Sequence, residues 1–198
     1  MNSWASRLEA LLARDTRVIV GITGSPGAGK TSLAVQIASS IDAAVHIPMD
    51  GFHLADAELR RLGRLDRKGA IDTFDAYGYL ALLQRIRYNS ETVYAPAFDR
   101  DIEQPVAGSI CVEPGVSLIV TEGNYLLDDD EPWPRVRRAL DEVWFVGCSP
   151  DERRRRLVAR HIEFGKSPER AQAWVRDVDE PNAERIERVR DKADLVVE

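Results

Sequence analysis

Short β-branched apolar runs alternating with helical segments predict an α/β fold, three α/β/α layers around a mainly parallel central sheet. Three observations carry this expectation. The runs Arg17–Thr23, Val116–Thr121 and Glu142–Val146 have the near-continuous apolar character of strands buried on both faces. Stretches with apolar residues at helical spacing lie between them. The chain has 198 residues, 44% of them hydrophobic, which suits a single domain over 1–198 with a substantial core.

The elements follow in order. Residues 3–14 read as an amphipathic helix with Trp4, Leu8, Leu11 and Leu12 on one face. Residues 17–23 form the first strand, which runs through a glycine-rich octapeptide into the helical pattern Thr31–Ile41. Ala44–Pro48 is a second short strand, ending just before Met49-Asp50-Gly51-Phe52-His53. Residues 54–74 are charged and glycine-punctuated, with a basic segment at 60–68. Residues 75–88 read as a helix and 92–112 as two short strands around a loop. The strand 116–121 runs into Glu122-Gly123-Asn124, and 142–146 is another strand. Residues 150–163 form an arginine-rich helix. Ser167 caps the next one, with Pro168 in its first turn. A third helix starts near Pro181, and 193–197 closes the chain as a strand.

Residues 24–31 read Gly-Ser-Pro-Gly-Ala-Gly-Lys-Thr, a complete Walker A phosphate loop between a strand and a helix. This context implies a P-loop protein that binds a nucleotide with Mg²⁺. Gly24, Ser25, Gly27, Ala28 and Gly29 build the backbone cradle, which a side chain at any of the three glycines would crowd. Lys30 brings a cation to the β/γ-phosphates, Thr31 offers a hydroxyl to Mg²⁺, and Ser32 continues the first helical turn, whose dipole favours anions. Ligands of parallel sheets bind at the carboxyl ends of the strands, so Gly24–Thr31, Asp50 and Glu122 are expected on one edge.

Phosphoryl transfer to an alcohol needs charge neutralisation, alignment and a proton acceptor. Asp50 follows a strand directly and is the candidate base, beside Gly51, which lets a ligand approach the backbone. Its alternative role is a turn former or a residue that holds the waters around Mg²⁺. Glu122 stands at a strand end, the place of a Walker B acid near Mg²⁺. Arg153, Arg156 and Arg160 share one helix face and form an arginine-bearing lid over the triphosphate, at about 150–168. Arg153 and Arg156 are the candidate catalytic pair beside Lys30 and Asp50. The competing description is a solvated basic face balanced by Asp151, Glu152 and Glu163. His53, Tyr94, Phe98 and Arg100 suit a polyhydroxy acceptor. A GTPase-like switch is a weaker alternative: Asp75-Ala-Tyr-Gly78 matches Asp-x-x-Gly, but the chain has no Asn-Lys-x-Asp. A nucleotide-binding regulator without turnover is another; the joint presence of Lys30, Thr31, Asp50 and Glu122 speaks against it.

The net charge of −6 argues against nucleic acid and anionic membranes as partners. The chain shows no signal peptide or membrane span, so a cytoplasmic protein is expected, with a small-molecule acceptor as partner and a homodimer left open. Cys111 and Cys148 lie in or just after apolar runs and are expected to be buried, reduced thiols. His46, His53 and His161 lack zinc-ligand spacing.

The phosphate loop, Met-Asp-Gly-Phe-His, Asp72-Thr-Phe-Asp, Ala-Pro-Ala-Phe-Asp-Arg, Thr-Glu-Gly-Asn-Tyr-Leu-Leu and Asp179-Glu-Pro-Asn together resemble the phosphoribulokinase/uridine kinase/pantothenate kinase superfamily, over residues 17–197. The chain is most similar to its small bacterial members, described as nucleoside/nucleotide kinase-like or as fructokinases of a fructose transport system. The resemblance implies a P-loop kinase fold with an arginine-bearing lid. It also implies ATP, Mg²⁺ and transfer of the γ-phosphoryl group to a small-molecule hydroxyl. By the same resemblance Asp50 is the base, Glu122 the Walker B acid, Arg153 and Arg156 lid residues, and Asn182 a neighbour of the acceptor. Ile71 and Thr73 stand where uridine kinases carry Pro and Ala.

Overall fold

The computed structural model describes residues 3–14, 16–88 and 90–198. In chain order its elements are α1 Ser3–Leu12, β1 Val18–Thr23, α2 Lys30–Ser39, β2 Ala44–Pro48, α3 Asp56–Leu62, α4 Ala76–Tyr88, β3 Val93–Asp99 and β4 Gln104–Val112. They continue as β5 Leu118–Glu122, α5 Trp133–Arg138, β6 Glu142–Val146, α6 Pro150–Glu163, α7 Pro168–Trp174, α8 Glu180–Glu187 and β7 Leu195–Val197.

Five strands form one parallel sheet in the order β2-β5-β1-β6-β7. β1 is buried along its whole length because it sits in the middle of that sheet with helices on both faces. Alternation along β1 sorts the core into two layers. Val18, Val20 and Ile22 join Trp4, Leu8 and Leu11 of α1 and Leu33 and Ile37 of α2 on one face. Ile19 joins Tyr79, Leu83 and Ile86 of α4, Trp133 of α5 and Ile186 of α8 on the other. Each fully buried aliphatic or aromatic side chain contributes about 1.5–3 kcal/mol, so the sheet is the rigid part from which the loops project. The expected three-layer α/β/α architecture is the observed one.

The lower edge is tied by Arg17, whose guanidinium donates to the carbonyls of Val116, Ile86, Glu113 and Pro114. The upper edge carries the site. Ile22 and Pro48 lie level with Glu122 from either side, so three adjacent strands end at one height. The loops after β1, β2 and β5 therefore leave side by side.

β3 and β4 form a separate antiparallel hairpin, as expected for 92–112, with an irregularity between Ala95 and Ala97. Two helices were not anticipated. α3 buries only Leu59, so it shows no apolar stripe, and α5 is a single short helix with proline at its start. The helix expected near Pro181 continues from α7 through a π-helical turn at Val175–Asp179. The cysteines are free, but neither is fully buried: Cys111 is exposed and Cys148 half-buried. Cys111 is exposed beside the buried Val112, on the outer side of the hairpin's alternation. Asp75 of the Asp-x-x-Gly match caps α4, accepting the Gly78 N–H at 2.8 Å. Among the described residues no helix is long and apolar enough to cross a membrane.

Candidate phosphate and acceptor site

The loop between β1 and α2 has Gly24, Gly27 and Gly29 at φ +146°, +80° and +103°, values L side chains rarely adopt. The physical reason for glycine differs from simple crowding of the cradle. A Cβ on Gly24 would stand 2.7 Å from the Val146 carbonyl oxygen of β6, and one on Gly27 would stand 2.9 Å from that of Arg153 in α6. The loop is thus packed from behind by β6 and α6. Ser25 is buried and its hydroxyl donates to Glu187 of α8 at 2.6 Å. Ala28 is buried in the core, and Ser32 is exposed on α2.

Lys30 is buried, with Nζ donating to the Ser25 carbonyl at 3.1 Å. Burial lowers its pKa to about 8, against the opposing pull of Glu122 and Asp50. Thr31 Oγ1 donates to Glu122 Oε1 at 3.2 Å. Burial and the nearby Asp50 raise the Glu122 carboxyl to about 7. His46, which the sequence gave no reason to single out, stands 3.9 Å from Glu122, and among the described residues its buried Nε2 has no hydrogen-bond partner. The residues fit a nucleotide with its metal. A backbone nest at a helix N-terminus, a buried ammonium and a hydroxyl–carboxylate pair are the donors that phosphates and a hard cation require.

These groups open on a cavity of about 420 Å³ at the carboxyl edge of the sheet. Lys30, Thr31 and Glu122 line it beside Asp50, His53, Phe98, Arg100 and Asn182. Asp50 lies in a single 3₁₀ turn after β2, with its carboxylate 3.2 Å from Arg100 of the hairpin turn. The His53 ring packs between Phe74 and Phe98, at 4.1 and 4.9 Å between centroids. Its Nδ1 meets the Asp50 carbonyl at 2.8 Å, and burial lowers its pKa. Asn182 donates to the Gly69 carbonyl at 3.4 Å, which the Tyr125 hydroxyl also meets at 2.6 Å.

Three expected site residues, Tyr94, Arg153 and Arg156, are outside the cavity lining. Tyr94 is 59% exposed on β3 and outside the cavity lining, because its neighbours Val93 and Ala95 take the buried side of the strand. Arg153 is only 5% exposed and lies beneath the phosphate loop, with Nη2 2.6 Å from Glu180 and Nη1 unpaired. Arg156 is exposed beside the phosphate loop, its Nη1 3.8 Å from where a Cβ on Gly29 would stand and its Nε donating to Glu152 at 2.8 Å. The arginine of that helix which lines the cavity is Arg160, one further turn along. Its spacing on the α6 face was readable; that it, and not Arg153, lines the cavity was not. The cavity also includes a His161–Asp179 pair at 2.8 Å, joining α6 to the π-helical turn. Non-zinc spacing had hidden His161, although Asp179 belonged to a recognised motif.

No protein-family model matches the chain. It is 41% identical over 133 residues to the "ATP-dependent kinase-like protein notR'" of Aspergillus versicolor, covering 63% of this chain and 77% of that one. It is 34% identical over 173 residues to a Schizosaccharomyces pombe protein named "Putative uridine kinase C227.14", covering 81% and 73%. The crystal structure of a "putative fructose transport system kinase" from Silicibacter sp. TM1040 superposes with a TM-score of 0.90 at 33% identity, over 99% of both chains. Phosphate loop, sheet order and these relatives agree: the chain belongs to the phosphoribulokinase/uridine kinase/pantothenate kinase superfamily of P-loop kinases.

Proposed function

We propose that this kinase transfers the γ-phosphoryl group of ATP to a hydroxyl of a small molecule, with Asp50 as general base. The observation that carries the proposal is the convergence of Lys30, Thr31–Glu122 and Asp50 on one cavity of small-molecule size. In this reading the backbone of residues 24–31 and the α2 N-terminus hold the phosphates, and Lys30 neutralises them. Thr31 and Glu122 hold Mg²⁺, which when bound spreads and screens the phosphate charge. Asp50 accepts the acceptor's hydroxyl proton as that oxygen attacks the γ-phosphorus. His53, Phe98, Arg100 and Asn182 surround the acceptor. Residues 150–168 act as the lid: Arg153 anchors the phosphate loop to Glu180, and Arg160 supplies positive charge to the transferring group. The acidic chain is read as acting on a cytoplasmic small molecule.

The test is ADP release with Mg²⁺–ATP across nucleosides, sugars, pantothenate and sugar phosphates, run beside Asp50→Asn. The variant is expected to bind ATP normally and to lose at least about a hundredfold in kcat. Near-wild-type turnover would remove Asp50 from the role.

A further inference from the structure

The positive side chains of the cavity differ in how their charge is answered. Lys68 is paired with Asp56 at 2.7 Å. Lys30 and Arg160 lie within each other's field at the phosphate loop and are assigned above to ATP. Two cations remain, one on each wall of the acceptor space. Arg100 projects from the turn between β3 and β4, with its guanidinium carbon 5.7 Å from the Phe98 centroid and 5.9 Å from that of Phe164. Phe164 follows α6, so hairpin and lid meet at this arginine.

Lys166 comes from the same end of α6. Gly165 at φ +90° reverses the chain, and the N–H groups of Gly165 and Lys166 bond back to Ile162 and His161 at 2.9 and 3.0 Å. The lysine is thereby brought to the cavity, with Nζ 4.9 Å from the Trp174 centroid. Among the described residues it pairs with no carboxylate. The sole carboxylate partner of Arg100 among them is Asp50. Glu103, the remaining acid of the rim, is exposed on the hairpin turn.

This arrangement has a consequence for the acceptor. With a neutral acceptor, Arg100 stays on the Asp50 carboxylate, competing for the oxygen that must take the hydroxyl proton. An acceptor bearing its own anion gives the half-exposed Arg100 guanidinium another partner beside the Phe98 and Phe164 rings, through a charge-assisted hydrogen bond. We propose that the acceptor is a hydroxylated anion. Its carboxylate or phosphate is held by Arg100 and Lys166, and its reacting hydroxyl sits at Asp50. The inference rests on the phosphotransfer reading and narrows its substrate class. In the step, the bond between the γ-phosphorus and the β–γ bridging oxygen breaks, and a bond from phosphorus to the acceptor oxygen forms. The hydroxyl proton passes to Asp50, and ADP leaves with the bridging electron pair.

The experiment uses matched acceptors that differ in the anion alone: glycerol, glycerate and glycerol 3-phosphate, then glucose, gluconate and glucose 6-phosphate. ADP release is followed with the full chain and with the double variant Arg100→Gln/Lys166→Gln. Within at least one series, an anionic member is expected to exceed its neutral counterpart at least about tenfold in kcat/KM. The acid and phosphate arms decide which anion is meant. The double variant should bring the two to within about twofold, chiefly through KM, while ATP affinity stays unchanged. Transfer to a neutral member as fast as to its anionic counterparts overturns the proposal and leaves the kinase reading intact. An anionic preference that persists in the double variant overturns the assignment to Arg100 and Lys166. Silence in both series and across the wider panel above, with ATP still bound, overturns the phosphotransfer reading and this inference with it.

Discussion

Gly51→Ala tests whether Asp50, the proposed base, is positioned by contact between the β2 loop and the hairpin. The sequence suggested that Gly51 leaves room for a ligand. In the structure the neighbour is protein: a Cβ at Gly51 would stand 2.5 Å from the Pro96 carbonyl oxygen and 2.8 Å from its carbonyl carbon. Ordinary contact begins at 3.4 Å, so backbone must move by about 0.9 Å. Both partners are backbone, and neither can yield by a rotamer change. Overpacking of this kind costs about 1–3 kcal/mol, offset by about 0.5–1 kcal/mol from the lower entropy of an unfolded alanine. The net loss is about 1–2 kcal/mol, or roughly 2–8 °C in Tm for a chain of this size. The larger effect falls on rate. Asp50 precedes Gly51, and Arg100 follows the strand that carries Pro96, so a displacement of this size separates the proposed base from Arg100. A misplacement near 1 Å costs on the order of a hundredfold in kcat. Scanning calorimetry and steady-state ADP release on the same preparation measure both. A variant with wild-type Tm and wild-type kcat would refute the contact argument.

Glu122→Gln should raise the stability of the nucleotide-free protein at pH 8 but not at pH 4.5. The folded carboxyl, lifted from 4.5 to about 7, binds its proton more tightly than the unfolded one. Folding stability is therefore lost as the pH rises between those values, a penalty of about 3 kcal/mol above pH 7. Losing the Thr31 hydrogen bond returns about 1 kcal/mol, and equal gains at both pH values would contradict the burial argument. Arg153→Ala and Arg160→Ala should separate stability from rate. Removing Arg153 breaks a buried pair that Arg154 still partly satisfies at 2.9 Å, costing about 2–4 kcal/mol in a denaturant titration. Removing Arg160 should leave stability within about 0.5 kcal/mol and reduce kcat about 10²–10³-fold. The opposite pattern would return the phosphate role to Arg153.

The parts of the site that were readable are those whose chemistry is contiguous. The phosphate loop needs eight successive residues, and its strand and helix announce themselves by burial and periodicity. Asp50 and Glu122 could be brought together from sequence because parallel strands of similar length must end at one edge. The amphipathic α1, the arginine-rich α6 and the serine-capped α7 were readable for the same local reasons, with Ser167 accepting from Arg170 at 3.3 Å. α3 and α5 escaped because one buries a single side chain and the other is short.

The sequence by itself determined the layer architecture, the phosphate loop and the edge on which the chemistry gathers. Strand burial, glycine conformation and strand polarity are properties of neighbouring residues. Tertiary structure alone decided which arginine of α6 faces the cavity, what Gly51 touches, and that Tyr94 turns away. It also decided that His161 meets Asp179 and that Ser25 meets Glu187, 162 residues further along the chain. Those choices depend on partners brought close only when the layers pack. A helix face that repeats arginine every three or four residues offers several equivalent candidates until a glutamate from another element claims one of them.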